Sequence, residues 1–300
     1  GVTSTTLLME VLTKLKANVS AYIPHRVDEG YGLNTPALQD LAENGAKLVV
    51  TVDCGIRAVE EVEEANAVGL DMIITDHHSI GPEIPPAYAV VNPQQVDCSG
   101  DKNLAGVGVA FMTARALLLD ALDRNGKNKN HAKIYKNILD NLLDLVAIGT
   151  VADVMNLNTP TNRALVRQGL EVINQANRPG IRALMEVAGL KKGSVTAMGI
   201  GFGLGPRINA AGRLDSAIEA YKLLSAQDDE EAQKYAERLQ SFNKERQDLT
   251  RESQARIRAN LEEKIDLNEA QLLFAVDADV VPGIVGLVAG RLTEEFYRPT

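Results

Sequence analysis

Cysteine is scarce in this sequence: Cys54 and Cys98 are the only two in 300 residues. A chain of that length can bury a full core without covalent staples, so the pair reads as reduced thiols, and a structural zinc site built on a thiolate cluster is excluded. Long apolar runs are missing too. The longest are short and broken by charge, which leaves nothing to cross a bilayer as a helix, and Glu10, Lys14 and Lys16 fall in a helical pattern unlike a secretory leader. A cytoplasmic protein is therefore expected. Positive charge is also in deficit, with 31 Lys and Arg against 40 Asp and Glu and a net charge of −9. Such a chain repels nucleic acid at long range, so any polyanion must be held by a local Arg cluster or by metal ions. An initiator Met is absent, the chain begins at Gly1 inside a helical pattern and stops at Thr300 without a terminating signal, and both ends read as cut.

What is present is ordinary in amount, 45% apolar and 24% charged, and ordered in pattern. The first half alternates helices with strands. Residues 3–16 have helical spacing, 19–24 read as a strand, and TPALQDLAENG reads as a helix with Thr35 as cap and Pro36 at its first position. KLVVTVDCG, DMIITDHH and AYAVVNP read as strands around the helix AVEEVEEANAVGL. Strands apolar on both faces and separated by helices imply a doubly wound parallel sheet, fold class α/β. From Gly106 the pattern turns helical, interrupted by the Gly-rich stretch 198–217. Residues 228–265 lack Gly and Pro and carry a weak apolar stripe. They predict one helix roughly 55 Å long, a solvated spacer between domains. AQLLFAVDA and GIVGLVAGRLTEEF then read as the strand and helix that open a second α/β domain, which divides the chain into 1–227, 228–265 and 266–300.

Half of the chain's 4 histidines stand together in the stretch MIITDHHS, as His77 and His78 behind Asp76. Open parallel sheets bind ligands beyond the carboxyl ends of their strands, and Asp53, Asp76, His77 and His78 all follow apolar strands. Asp153, in LVAIGTVADV, also follows an apolar run. Carboxylates mixed with neutral imidazoles suit Mn²⁺, Mg²⁺ or Zn²⁺. Each alone has a bland reading, Asp as a turn or cap residue and His as a surface or core residue, and the triplet after a buried strand favours the metal.

TDHH, with VTVDCG before it and AIGTVADV after it, resembles the DHH phosphoesterase superfamily. IPHRVDEGYGLN, LAGVGVAF, GPRINAAGRLDSA and GIVGLVAGRL are similar to its RecJ-like branch of single-strand-specific 5′→3′ exonucleases. The resemblance implies a DHH domain, a connecting helix and a DHH-associated domain of which only the first part is present. It implies two Mn²⁺ (or Mg²⁺) ions, with Asp53, His77 and Asp153 as ligands, Asp76 orienting a ligand and His78 beside the scissile phosphate. Arg26, Arg207 and Arg213 match positions that hold the phosphates of single-stranded DNA, Arg26 near the 5′ end, where its bland reading is a surface pair with Asp28 or Glu29; Asn209, between the other two, is a further phosphate-binding candidate, and a helicase and a single-strand-binding protein are the implied partners. Gly283 and Gly286, opening a helix, offer its N-terminal amides to a phosphate, with helix packing as the alternative for Gly286. The branch's first motif, an Asp-x-Asp pair, would lie just before Gly1, so the chain as it stands is expected to be inactive or weak. Where RecJ-like sequences often read WHPG, this one has Val280, Val281, Pro282 and Gly283. The alternatives are a DHH oligoribonuclease or cyclic-dinucleotide phosphodiesterase, an inorganic pyrophosphatase, or a non-catalytic Cdc45-like replication scaffold.

Overall fold

Three short parallel strands form the sheet, in spatial order β1 (Leu48–Val52), β2 (Asp71–Thr75) and β3 (Ala89–Val91). The computed structural model describes residues 1–25, 29–30, 32–264, 266 and 269–300. β1 and β2 run in register from Leu48↔Asp71 to Val52↔Thr75. Side chains alternate faces along each strand. Met72 and Ile74, with Val49 beside them, meet a small core that contains Leu38 of α2 (Thr35–Glu43) and Val62 and Ala65 of α3 (Val59–Ala67). Val50 and Val52 point the other way, into the large core shared by α1 (Val2–Lys14) and α4 (Gly106–Arg124). Helices thus cover both faces, and the fold is α/β.

That large core continues into a helical body of α5 (Lys129–Ala152), α6 (Pro160–Gln175), α7 (Pro179–Val187), α8 (Ala197–Gly199), α9 (Gly205–Leu214) and α10 (Ile218–Ser225). α5 runs through its centre, and its last three turns bury Leu142, Leu145, Val146 and Ile148. One buried ion pair stitches the body together. Arg178, just before α7, donates to both oxygens of Asp144 on α5 at 2.7 and 3.2 Å and to Glu10 on α1 at 3.1 Å. Burial pushes the Asp144 carboxyl up, against the pull of the Arg178 guanidinium.

Four expectations need correction. Residues 19–24 form no strand: Pro24 offers no backbone donor, and among the described residues nothing pairs with the outer edge of β1. Residues 270–278 form none either. The strand-like alternation is there, Leu273 buried between exposed Leu272 and Phe274, but no second strand among the described residues completes a ladder. The Gly-rich stretch does not interrupt the helices; it is itself helical, α8 passing through a π turn (Ile200–Leu204) into α9. Glycine costs about 1 kcal/mol per helical position, and the compensation lies in close packing: a Cβ on Gly205 would sit 3.3 Å from that of Ala152. Finally, α11 (Asp229–Lys264) is a single 36-residue helix as expected, yet it is no solvated spacer. Its first half buries Ala232, Ala236 and Leu239 in the large core, and its far end carries Leu261 into a separate core with Leu273, Ile284, Val288 and Leu292. The last two residues belong to α12 (Val285–Phe296), preceded by a 3-10 turn. No helix among the described residues is long and apolar enough to cross a membrane.

Arg178→Ala should destabilise the chain by about 3–5 kcal/mol, since it strands the Asp144 carboxylate in the core. Lys136→Ala, which removes an exposed helical pair with Asp140, should cost under about 1 kcal/mol. Urea unfolding of the two variants checks this, and equal losses would contradict the role given to Arg178.

Candidate metal centre

In-register pairing delivers the first ligands together. Val52 faces Thr75, so the next residues, Asp53 and Asp76, leave the sheet side by side at its carboxyl edge. The edge is locked by the Thr75 hydroxyl donating to the Thr51 carbonyl at 2.7 Å, and by the Thr51 hydroxyl donating to that of Cys54 at 2.8 Å. Asp53 then turns sharply, with φ of +64°, a left-handed conformation that Asp tolerates better than most residues.

The third element is the end of α5. Asp153 caps that helix, and the two carboxylates converge on one imidazole: His77 Nε2 lies 3.2 Å from Asp53 Oδ1 and 3.4 Å from Asp153 Oδ2. Nε2 is buried yet makes no hydrogen bond of acceptable geometry. A ring nitrogen aimed between two carboxylate oxygens is the donor set a divalent cation takes. The charges agree. Burial alone would raise the Asp53 carboxyl, but His77 and the Gly1 amino group, which donates to Asp53, hold it well below the usual range. Burial would lower His77, but the close carboxylate of Asp53, then Asp153 and Asp76, push it up. Burial and the nearby Asp53 raise Asp153.

Asp76 is placed differently from the other carboxylates. It is 1% exposed, and its oxygens are already used: Oδ2 accepts from the Ile56 amide at 3.0 Å, and Oδ1 from the His77 amide at 2.7 Å. Oδ1 also lies 2.6 Å from His78 Nδ1. An ionised carboxylate only accepts, so facing it the ring proton of His78 sits on Nδ1, and Nε2 is not engaged by Asp76. Asp76 thus spends its oxygens on donors of the chain itself, whereas Asp53 and Asp153 turn theirs to His77 Nε2. One possible ligand atom each of Asp53, Asp76, His77 and His78 lies within 4.8 Å of the others, a group that could hold a metal ion. Beside them, burial and the charges of Asp76 and Asp53 push the Cys54 thiol up to about 11.

Two supports were not read from the sequence. Asn92, after β3, is 2% exposed, donates to the His78 carbonyl at 3.0 Å and accepts from the Gln94 amide at 2.7 Å, so it holds the DHH loop from behind. The signal was NPQQ, a turn pattern following a strand at the same edge. Gly106, at the start of α4, matters by what it lacks: a Cβ there would come within 2.1 Å of Asp53 Oδ1.

The phosphate-binding candidates divide. Asn209 and Arg213 line the same cleft, about 1030 Å³, as Asp53 and Asp153. Arg213 also donates to the Gly283 carbonyl at 2.9 Å, and Gly283 packs so tightly that a Cβ on it would meet the Arg213 carbonyl oxygen at 2.0 Å. Gly286 faces open space in the first turn of α12. Arg207 is tied into the helical body, donating to Gln240, to the Gly203 carbonyl and weakly to the Val187 carbonyl. Arg26 lies outside the described residues.

The sequence profile of the DHH family, N-terminal domain, matches residues 1–150. The single-stranded-DNA-specific exonuclease RecJ of Bacillus subtilis (strain 168) is 41% identical over 305 residues, covering 100% of this chain and 36% of that protein. The protein of the same name from Escherichia coli (strain K12) is 39% identical, covering 100% of this chain and 52% of that protein. The chain thus spans about half or less of the length of these curated relatives. Among solved structures, exonuclease RecJ bound to manganese superposes with a TM-score of 0.84 at 36% identity, covering 99% of this chain and 71% of the other. RecJ of Thermus thermophilus in complex with Mn²⁺ gives 0.81 at 34% identity, covering 99% and 41%.

Gly106→Ala should displace the Asp53 carboxylate and weaken Mn²⁺ binding by at least about tenfold while the fold is kept, an effect of the size seen for lost supports of metal ligands. Calorimetric titration with circular dichroism as the folding control checks it; unchanged affinity would mean that Asp53 is not a ligand.

Proposed function

The chain belongs to the DHH family and within it is RecJ-like, and from that premise we propose that it carries the metal-dependent core of an exonuclease that degrades single-stranded DNA from the 5′ end. The observation that carries this reading is the convergence of Asp53, His77 and Asp153 at the carboxyl edge of the sheet, in a cleft shared with Asn209 and Arg213. These three residues would hold divalent ions, Mn²⁺ or Mg²⁺, two in the complete protein. When bound, such ions supply an activated water and neutralise the charge that gathers on the phosphate oxygens.

The chain's own residues do the rest. Asp76 keeps the proton of His78 on Nδ1, so that Nε2 can donate to a phosphate oxygen in the imidazolium form or accept a proton in the neutral one. His78 is 45% exposed at its side chain, against 9% for His77, which suits the first for meeting substrate and the second for ligating metal. Asn92 and Gly106 keep these groups in place from behind and from the side. Asn209 and Arg213 would hold the DNA backbone near the centre, local positive charge that an acidic chain needs for a polyanion. Gly1 lies against Asp53, so a segment joined to Gly1 enters the site, and the RecJ-like Asp-x-Asp pair would add carboxylates there.

Single-strand specificity makes the enzyme depend on whatever opens duplex DNA, which is why a helicase and a single-strand-binding protein fit as partners and DNA repair and recombination as the setting. A cytoplasmic location, where Cys54 and Cys98 stay reduced, goes with this.

The test uses the chain extended upstream of Gly1 by the Asp-x-Asp segment, with Mn²⁺ and end-labelled oligonucleotides. Single strands should be degraded from the 5′ end to mononucleotides and duplexes left intact. His77→Ala should lose metal affinity, while His78→Ala should keep metal and slow hydrolysis by about 10²- to 10⁴-fold, the usual share of a general acid or base. Degradation from the 3′ end, or equal loss of metal in both variants, would contradict the assignment.

A further inference from the structure

A second, smaller cavity shares Ala152, Asn209 and Arg213 with the cleft. Its volume is about 120 Å³, and its wall combines Asn209, Arg213 and Arg246 with the side-chain-poor surface of Gly201, Gly205 and Pro206. Asn209 and Arg213 line both spaces, so the small cavity continues the path that starts at Asp53 and Asp153. Arg246 comes from the middle of α11, far in sequence from every motif discussed above.

The state of Arg246 is unusual. Its Nη2 donates to Asn243 at 2.9 Å, but its Nε is buried with no hydrogen-bond partner, and it forms no ion pair with a described carboxylate. Burial, reinforced by the like charges of Arg213 and Arg291, lowers its guanidinium from the usual range. No carboxylate lines the cavity. A partly buried cation that faces other cations and leaves a buried donor unused is destabilising unless an anion completes it, because the unmatched donor has given up its water for nothing. In a chain of net charge −9 with many acids at hand, a surface salt bridge would be the simpler arrangement.

We propose that this cavity is an anion subsite for a phosphate group, with Arg246 its defining residue and Asn209 and Arg213 its shared wall. The guanidinium fork matches two oxygens of a phosphate, and the glycine-lined side lets a bulky tetrahedral anion approach the backbone. The inference rests on the function proposed above only for the source of that phosphate, a backbone position of the bound strand beyond the one at the metal centre.

The experiment measures anisotropy of a labelled oligothymidylate with the chain in EDTA across a salt series, and thermal melting with and without orthophosphate. Arg246→Gln should weaken oligothymidylate binding about ten- to a hundredfold, the worth of one charge-assisted phosphate contact. It should also reduce the slope of log affinity against log salt by about 0.7, one phosphate contact on a single strand. Arg246→Lys should keep the slope and lose part of the affinity. Orthophosphate should raise the melting temperature of the wild type and not that of Arg246→Gln. Equal affinity, slope and phosphate response in wild type and variant would overturn the subsite, even if the chain binds and cleaves single strands. If oligothymidylate does not bind at all while orthophosphate still separates the two proteins, the subsite stands and the single-strand reading falls. Should Arg246→Gln not fold, Arg246→Lys decides: unchanged affinity and phosphate response count against the proposal.

Discussion

The candidate site depends on one constraint, the in-register parallel pairing of β1 with β2. Val52 opposite Thr75 is what brings Asp53 to the side of Asp76 and His77, and a slip of one residue would turn every inward side chain of the strand to the other face and withdraw Asp53 from the edge. The register is protected where it matters most. Thr51 and Thr75 bond across the final step, and the Asp53 amide continues the ladder by donating to the Thr75 carbonyl at 2.8 Å. Everything else brings a third or fourth group to that fixed edge: α5 delivers Asp153, α4 begins with a glycine to admit the Asp53 carboxylate, and β3 ends in Asn92.

This arrangement separates jobs that carboxylates and imidazoles could otherwise exchange. Asp76 is buried with both oxygens spent on amides and on His78, so it cannot easily give them to a cation, whereas Asp53 and Asp153 point theirs at a ring nitrogen that has no hydrogen-bonded partner. His77 and His78 are sequence neighbours, with rings 4.4 Å apart, yet one is turned inward between Asp53 and Asp153 and the other is anchored by Nδ1 with its far side exposed.

How much was legible in the sequence follows from range. Short-range patterns read well: the apolar runs before Asp53 and Asp76 were strands, the helical periodicities from Gly106 to Val187 were helices, and a run without Gly or Pro made the long α11. Asp53, His77 and His78 could be placed at a sheet edge because strand ends have one address. Asp153 was marked by the apolar run before it, which is the end of a helix, and only tertiary packing brings that helix end to the edge. Residues 19–24 and 270–278 carry strand patterns without a paired neighbour among the described residues, and pairing is non-local. The Gly-rich stretch hid a helix because propensity disfavours it, while contact with Ala152 and Leu190, invisible in sequence, favours it. Arg246 was silent, one Arg among many on a polar helix, until α9 and α11 came together.

The central claim, that β1, β2 and α5 converge to make one cation site, is tested most directly by anomalous diffraction from crystals of the chain grown with Mn²⁺. The account predicts a manganese peak bonded to Asp53, His77 Nε2 and Asp153, with Asp76 still hydrogen-bonded to Ile56 and His78 and not ligating. A peak ligated by Asp76, or well-ordered crystals with no peak between Asp53, His77 and Asp153, would contradict it.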